Sequence, residues 1–304
     1  MAVTLNYLAT TLIWGSTWYV ISFQQAGAAQ EVSVAIRFLI AAALLVIWGA
    51  VARRRLAIAR EHYLWVFVQG LLLFSANYIC VYFATPLITT GLIAVVFGLI
   101  IPFNIIHERI FFKTPLSVPL LFSATLGLIG IALVFAPQLM STTLDDATLR
   151  GIGLSVFGAW LASLGNMAAV RNTKAKLPAV AINAHGMFWG GLASLLVAAV
   201  LGRSFAIDWT VEYTASLAYL ALFGSAVAFG SYLFLIEHIG SGPAAYANIV
   251  VPIVALVIST VFESYQWTWL AALGVLLVLG GNTLIINRQR NARRAGLARK
   301  NRIA

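Results

Sequence analysis

The side chains in this chain that suit chemistry are aromatic and amide groups set among apolar residues. Asn77, Tyr78 and Tyr82 fall within one short stretch, and Tyr78 and Tyr82, four apart, share a face of any helix. Trp18 closes the run Gly15-Ser16-Thr17-Trp18, and Trp160, Ser163 and Asn166 lie together, with 163 and 166 on one helical face. Tyr232, Tyr246 and Asn248 form a third group, and His185 is the one histidine well inside an apolar run. Such groups hold a solute rather than make or break bonds. Offset or edge-on ring contacts contribute about 0.5–1.5 kcal/mol beyond area, and an ammonium over a ring about 0.5–2 kcal/mol. An asparagine in an apolar run is costly unless it faces protein or water, so Asn77, Asn166 and Asn248 are expected to face one of these. Ser163 has no neighbouring base, His185 stands alone and Cys80 is the single cysteine. No catalytic residue, metal ligand or cofactor is therefore expected.

Each of these residues also has a plainer use. Tyr82 and Tyr232 sit near the ends of their runs, where interfacial belt tyrosines are common. Gly15 and Ser16 let helices approach closely. His185 can serve as a structural hydrogen-bonding group, although a side chain with an ordinary pKa of about 6.5 can also exchange a proton. Arg37 can snorkel or pair with Glu31, or hold a substrate carboxylate. Pro102 and Pro252 each remove a backbone hydrogen bond, and act either as static kinks or as gating hinges together with Gly15.

The elements that carry these groups follow from composition. The chain has 304 residues, of which 62% are hydrophobic and only 9% charged, with a formal net charge of +10. A soluble domain is usually about a quarter charged. So little charge excludes a soluble enzyme, a disordered chain and a conventional nucleic-acid binder. Apolar runs of spanning length occur at about 4–23, 32–51, 63–83, 88–107, 116–136, 150–170, 178–201, 213–236, 242–262 and 267–287. They do not alternate as barrel strands do, so they are expected to be helices. The expected fold is all-α and integral to the membrane, with ten transmembrane helices. The first run lacks a basic leader and a cleavage site and is expected to be retained.

Charge placement orients the spans. With the N-terminus inside, nine basic residues fall in inside links and seven, Arg288 to Arg302, in the tail, sixteen of the 19 in all. The positive-inside rule thus places both termini in the cytoplasm. The basic tail, 289–304, reads as a topology anchor against anionic headgroups. No acid falls in the middle of an expected span. That shortage disfavours cation-coupled carriers and exporters of cationic drugs.

Shifting the sequence by 150 residues aligns it with itself. Gly15 meets Gly165, Tyr82 meets Tyr232, Pro102 meets Pro252 and Gly130 meets Gly280. Residues 1–138 and 149–288 are therefore expected to be two five-helix repeats. An odd number of crossings per repeat makes their topologies inverted, an architecture that places substrate near the midplane between repeats.

Several segments resemble the EamA type of the drug/metabolite transporter superfamily: IWGSTWYVI at 13–21, AIRFLIAAALLV at 35–46, the Tyr-rich 76–102 segment and its counterpart at 229–281. The resemblance covers essentially the whole chain and is greatest to YddG-type exporters of aromatic and hydrophobic amino acids. It departs from the pattern near the end of the fourth span, where Glu108-Arg109 lies five residues before the position matching Glu263. The resemblance implies a multi-pass inner-membrane carrier that exports small zwitterionic metabolites, most of all such amino acids, by alternating access. The lack of a mid-span acid suggests facilitated rather than proton-coupled export. Expected partners are the bilayer and a small-molecule substrate, an amino acid, with no nucleic acid, and the carrier is expected to be a monomer or weak homo-oligomer. Export of sugars, nucleotide-linked anions or drugs is the alternative within the superfamily. A channel or a membrane enzyme fits the residues less well.

Overall fold

The computed structural model describes residues 2–115, 118–134, 136, 145–239, 244 and 247–301. The described residues contain no β-strand and form ten helical runs. They are α1 (Ala2–Val20, continued by a 3-10 turn Ile21–Gln24), α2 (Gln30–Val51) and α3 (Tyr63–Leu71, a π-helical stretch Leu72–Ala76, then Asn77–Ala84). Next come α4 (Thr90–Val96, a 3-10 turn Phe97–Leu99, then Ile100–Phe112) and α5 (Val118–Val134). The remainder are α6 (Asp146–Lys174), α7 (Ala179–Val200), α8 (Val211–Tyr219, a π-helical stretch Leu220–Val227, then Ala228–Ile239), α9 (Ala247–Phe262) and α10 (Trp269–Asn301). Most of the expected 137–150 link lies outside the described residues.

The interruptions have local causes. Pro102 has no N–H to offer the Gly98 carbonyl four residues earlier, and the helix tightens to 3-10 at that turn. The π-helical stretches of α3 and α8 widen the ladder at places about 150 residues apart. Left-handed residues close equivalent helices: Arg53 (φ 51°) after α2 and Gly202 (φ 62°) after α7, Lys113 (φ 56°) after α4 and Ser264 (φ 54°) after α9. Starts are capped as well. Asp145 accepts the Ala147 amide at 2.9 Å, and Thr210 accepts that of Tyr213 at 3.2 Å.

Packing is crosswise. α1 lies on α8 and α9, while α6 lies on α3 and α4; α2 runs beside α7, and α5 beside α10. Small residues set the closest approaches. A Cβ at Gly274 would stand 2.4 Å from the Gly130 carbonyl oxygen, and one at Gly70 would stand 2.3 Å from that of Gly186. Only glycine, with no Cβ, leaves room for backbones to approach this closely. The exterior is apolar, with Val51, Val211 and Trp269 at 79%, 81% and 73% exposure. Among the described residues, six helical segments are long and apolar enough to cross a bilayer: Gln30–Val51, Arg60–Ala84, Thr90–Phe112, Asp146–Lys174, Ala179–Val200 and Val211–Tyr232. Thr125–Val134, Ala247–Phe262 and Trp269–Leu284 are shorter apolar helices. The molecule is a multi-pass membrane protein.

Two expected boundaries change. α4 does not end near residue 107 but continues through Glu108 and Arg109 to Phe112. α10 does not end near 287, and its backbone stays helical through most of the basic tail to Asn301.

Candidate substrate cavity

One end of the bundle is sealed by polar contacts between elements distant in the chain. Gln24 Nε2 donates to the Tyr213 carbonyl at 3.0 Å, and the Ser33 and Tyr213 hydroxyls meet at 3.1 Å. Arg203 Nε reaches Glu31 Oε1 at 3.1 Å, and the Asp208 amide donates to the Gly27 carbonyl at 2.7 Å. Glu263, at the end of α9, caps the start of α4 by accepting from both the amide and the hydroxyl of Thr90 at 2.9 Å. That cap joins two elements 173 residues apart. Glu263→Ala removes the oxygen, Oε2, that accepts both bonds, and losing such a cap costs about 0.5–2 kcal/mol. Hydrogen exchange at the first turn of α4 is expected to accelerate severalfold; unchanged protection would show that Glu263 does not hold this end.

Behind the seal lies a cavity of about 580 Å³, within the ordinary range of small-molecule sites. It is lined by α1, α3, α4, α6, α8 and α9, with Asn183 from α7, and extends toward the end where Arg171 and His62 meet at 3.0 Å. Its inner walls are aromatic. Trp14 meets Phe229 and Tyr232, each with ring centroids 5.2 Å apart, and Trp18 meets Phe97 at 4.9 Å. Trp14 Nε1 donates to the Gly224 carbonyl at 3.2 Å, inside the π-helical stretch of α8. The π-helical stretch of α3 ends just before Asn77 and Tyr78, which both line the cavity. Toward the other end the lining turns polar, with Gln69, Asn104, Glu108 and Asn166. Asn166 donates to Asn104 Oδ1 at 3.2 Å, and Gln69 Oε1 accepts from Asn172 at 2.9 Å. Asn77 is 4% exposed and its Oδ1 has no hydrogen-bond partner.

Of the residues singled out from sequence, Trp18, Asn77, Tyr78, Asn166, Tyr232, Asn248 and Pro252 line this cavity. Tyr232 lies beside Asn248, which is exposed. Four others point elsewhere. Tyr82 is fully buried beside Arg37, because its position one turn beyond Tyr78 lies inside the seal. Trp160 is 39% exposed and stacks on Phe157 at 5.7 Å, toward the apolar exterior. The hydroxyl of Ser163 is tied to His107 Nδ1 at 2.8 Å. His185 Nε2 contacts the Leu56 carbonyl oxygen at 3.2 Å and its ring meets Tyr63 edge-on, behind α3 rather than within the cavity. Gly15 lies in unbroken helix and serves close packing, since an added Cβ would stand 2.4 Å from Val254 Cγ1. Pro102 is buried beside the 3-10 turn of α4. Tyr246 lies outside the described residues. Arg37 neither snorkels nor pairs with Glu31: it is 1% exposed, and Glu31 is taken by Arg203.

Sequence reasoning missed Glu108 as a cavity group. The run His107-Glu108-Arg109 reads as the start of a link, yet the helix continues because this face meets the polar end of the cavity. Trp14, Gln69 and Asn104 were also missed. Gln69 and Asn104 had a usable signal, since each is an amide deep in an apolar run.

An apolar-surfaced helical bundle that is sealed at one end and encloses a solute-sized cavity is the architecture of a membrane transporter. The EamA-like transporter family model matches residues 2–136 and 147–287. The chain belongs to that family. Similar proteins include "Uncharacterized transporter YoaV" of Bacillus subtilis (strain 168), 21% identical over 291 residues that cover 95% of this chain and 99% of that protein. Another is "Uncharacterized inner membrane transporter YedA" of Escherichia coli (strain K12), 25% identical over 280 residues covering 88% of this chain and 86% of that one. A solved crystal structure superposes with a TM-score of 0.67 at 16% identity, over 95% of this chain and 98% of its own, and shares the fold.

Proposed function

We propose that this EamA-family transporter exports small zwitterionic metabolites, foremost aromatic and hydrophobic amino acids, by alternating access. The observation that carries the reading is the middle of the cavity: Trp14, Trp18, Phe97, Tyr78 and Phe229 wall it with rings, and Asn77 Oδ1 offers a buried acceptor with no partner. Rings accept an apolar or aromatic side chain, and the orphan acceptor suits an ammonium N–H. A buried acceptor left unsatisfied is costly, and a bound donor relieves that cost.

The orientation proposed has both termini in the cytoplasm of a cell whose inner membrane holds the protein. It is supported by the sixteen basic residues and by the printed name of YedA. The cavity then extends toward the cytoplasm, and the seal faces outward. The proposed mechanism exchanges two inverted five-helix repeats, 1–138 and 149–288, ten crossings in all. The paired π-helical stretches, the paired left-handed caps and the crosswise packing support it. The subtype proposed is that of YddG-like exporters, working as a monomer or weak homo-oligomer with no nucleic-acid partner.

Reconstituted into liposomes, the protein is expected to take up tryptophan or phenylalanine saturably without an imposed proton gradient. Absence of saturable uptake for any amino acid would overturn the reading. Glu108 favours a second reading, proton-linked export or export of a cationic solute, because it puts a carboxylate in the cavity lining. Uptake that rises with an imposed pH gradient and loses that rise in Glu108→Gln selects the second reading.

A further inference from the structure

The strongest unexplained feature outside the cavity lining is the side chain of Arg37. It is the largest fully buried side chain among the described residues, and neither Nε nor Nη1 has an acceptor. No carboxylate among the described residues pairs with it. Glu31 pairs with Arg203, Glu61 lies against His62, Glu263 caps α4 and Asp145 caps α6. A guanidinium stays charged even when buried, and a buried charge without a partner is strongly unfavourable. Two rings offset part of this, with the guanidinium carbon 4.8 Å from the Tyr78 ring centroid and 5.1 Å from that of Phe38.

The surroundings hold a second unspent group. The hydroxyl of Tyr82, fully buried, lies against the Arg37 guanidinium and has no acceptor for its own proton. Gly224 keeps the space open on the α8 side, since a Cβ there would stand 3.5 Å from Nη2 and 2.7 Å from Thr17 Cγ2. Tyr78, Phe74 and Thr17 line the cavity, so Arg37 lies one side chain behind the wall. Asn77, the orphan acceptor, neighbours Tyr78 in the chain. The residue 150 positions further on is Met187, so the charge occurs in one half only.

We propose that Arg37 is the carboxylate-binding residue of the transport cycle, reached when the Tyr78 ring swings aside, with the Tyr82 hydroxyl as a second donor. This deepens the proposed function and rests on its zwitterionic substrate. The carboxylate satisfies the donors that the fold leaves empty, while Asn77 takes the ammonium. Charge-assisted bonds of this kind are the strong ones, and arginine's planar fork suits a carboxylate.

The test uses the full-length protein in liposomes and four solutes: phenylalanine, its amide, 3-phenylpropionate and phenethylamine. The wild type is expected to prefer phenylalanine to the amide, and 3-phenylpropionate to compete better than phenethylamine. Arg37→Met is expected to lower kcat/KM for phenylalanine about tenfold or more, while amide uptake stays near wild type. Equal phenylalanine uptake by Arg37→Met, or no preference of the wild type for carboxylate-bearing solutes, overturns the proposal. If Arg37→Met does not fold, the wild-type competition decides alone. If the wild type transports no amino acid, the zwitterion reading fails separately. Arg37 is then judged by whether millimolar 3-phenylpropionate raises the melting temperature of the purified protein; no rise overturns it.

Discussion

Replacing Gly274 with leucine is expected to abolish the folded protein. An added Cβ there would meet the Gly130 carbonyl oxygen at 2.4 Å and the Val134 amide nitrogen at 2.8 Å. Both are backbone atoms of α5, so no rotamer change relieves the clash and α5 must separate from α10. The reciprocal contact is equally tight, with a Cβ at Gly130 standing 2.6 Å from the Gly274 carbonyl oxygen. Overpacking a core typically costs about 1–3 kcal/mol, and occasionally more; a clash between two backbones belongs at the upper end. The check is the monodisperse peak in detergent gel filtration, which should survive in Gly280→Ala, where an added Cβ meets nothing within 4 Å. A well-folded Gly274→Leu would show that α5 and α10 do not need this approach.

The second large effect concerns motion. Cysteines placed at Thr90 and Glu263, in a Cys80→Ser background, and bridged through two disulfides by a short bis-methanethiosulfonate reagent should stop transport almost completely. Reductant should restore it. These positions already hold the start of α4 against the end of α9 through two hydrogen bonds of 2.9 Å. If the proposed alternating access is right, this contact must break once per cycle, and a covalent tether removes one of the two states. Undiminished flux through the bridged protein would mean that the sealed end never opens. Each single cysteine, treated identically, controls for modification alone.

The amount of structure legible in the sequence followed from the solvent. Hydropathy marks helices because lipid offers no partner for a bare backbone, and the described residues are indeed helical with no strand. What hydropathy cannot mark is which face of each helix turns inward. In a soluble protein the polar stripe points out, but here the outward face is as apolar as the core. Tyr78 and Tyr82 looked equivalent at four residues' spacing, yet one lines the cavity and the other is sealed 0% exposed beyond it. Trp160 and His185 were misplaced for the same reason. Glu108 failed differently: charge near the end of an apolar run reads as a link, although α4 carries it on as cavity wall. Arg37 was legible as an oddity, and its isolation became visible only once Arg203, distant in sequence, was seen to occupy Glu31.

The π-helical stretches of α3 and α8 lie directly against the residues that shape the cavity. A widened turn of this kind can travel along its helix by trading one carbonyl partner for the next, so the count of backbone bonds stays constant while everything beyond it rotates. Rotation at constant bond count is cheap even in hydrocarbon, where breaking a bond outright is not. Tyr78, immediately beyond such a turn, is therefore placed to sweep its ring across the cavity wall without melting the helix that carries it.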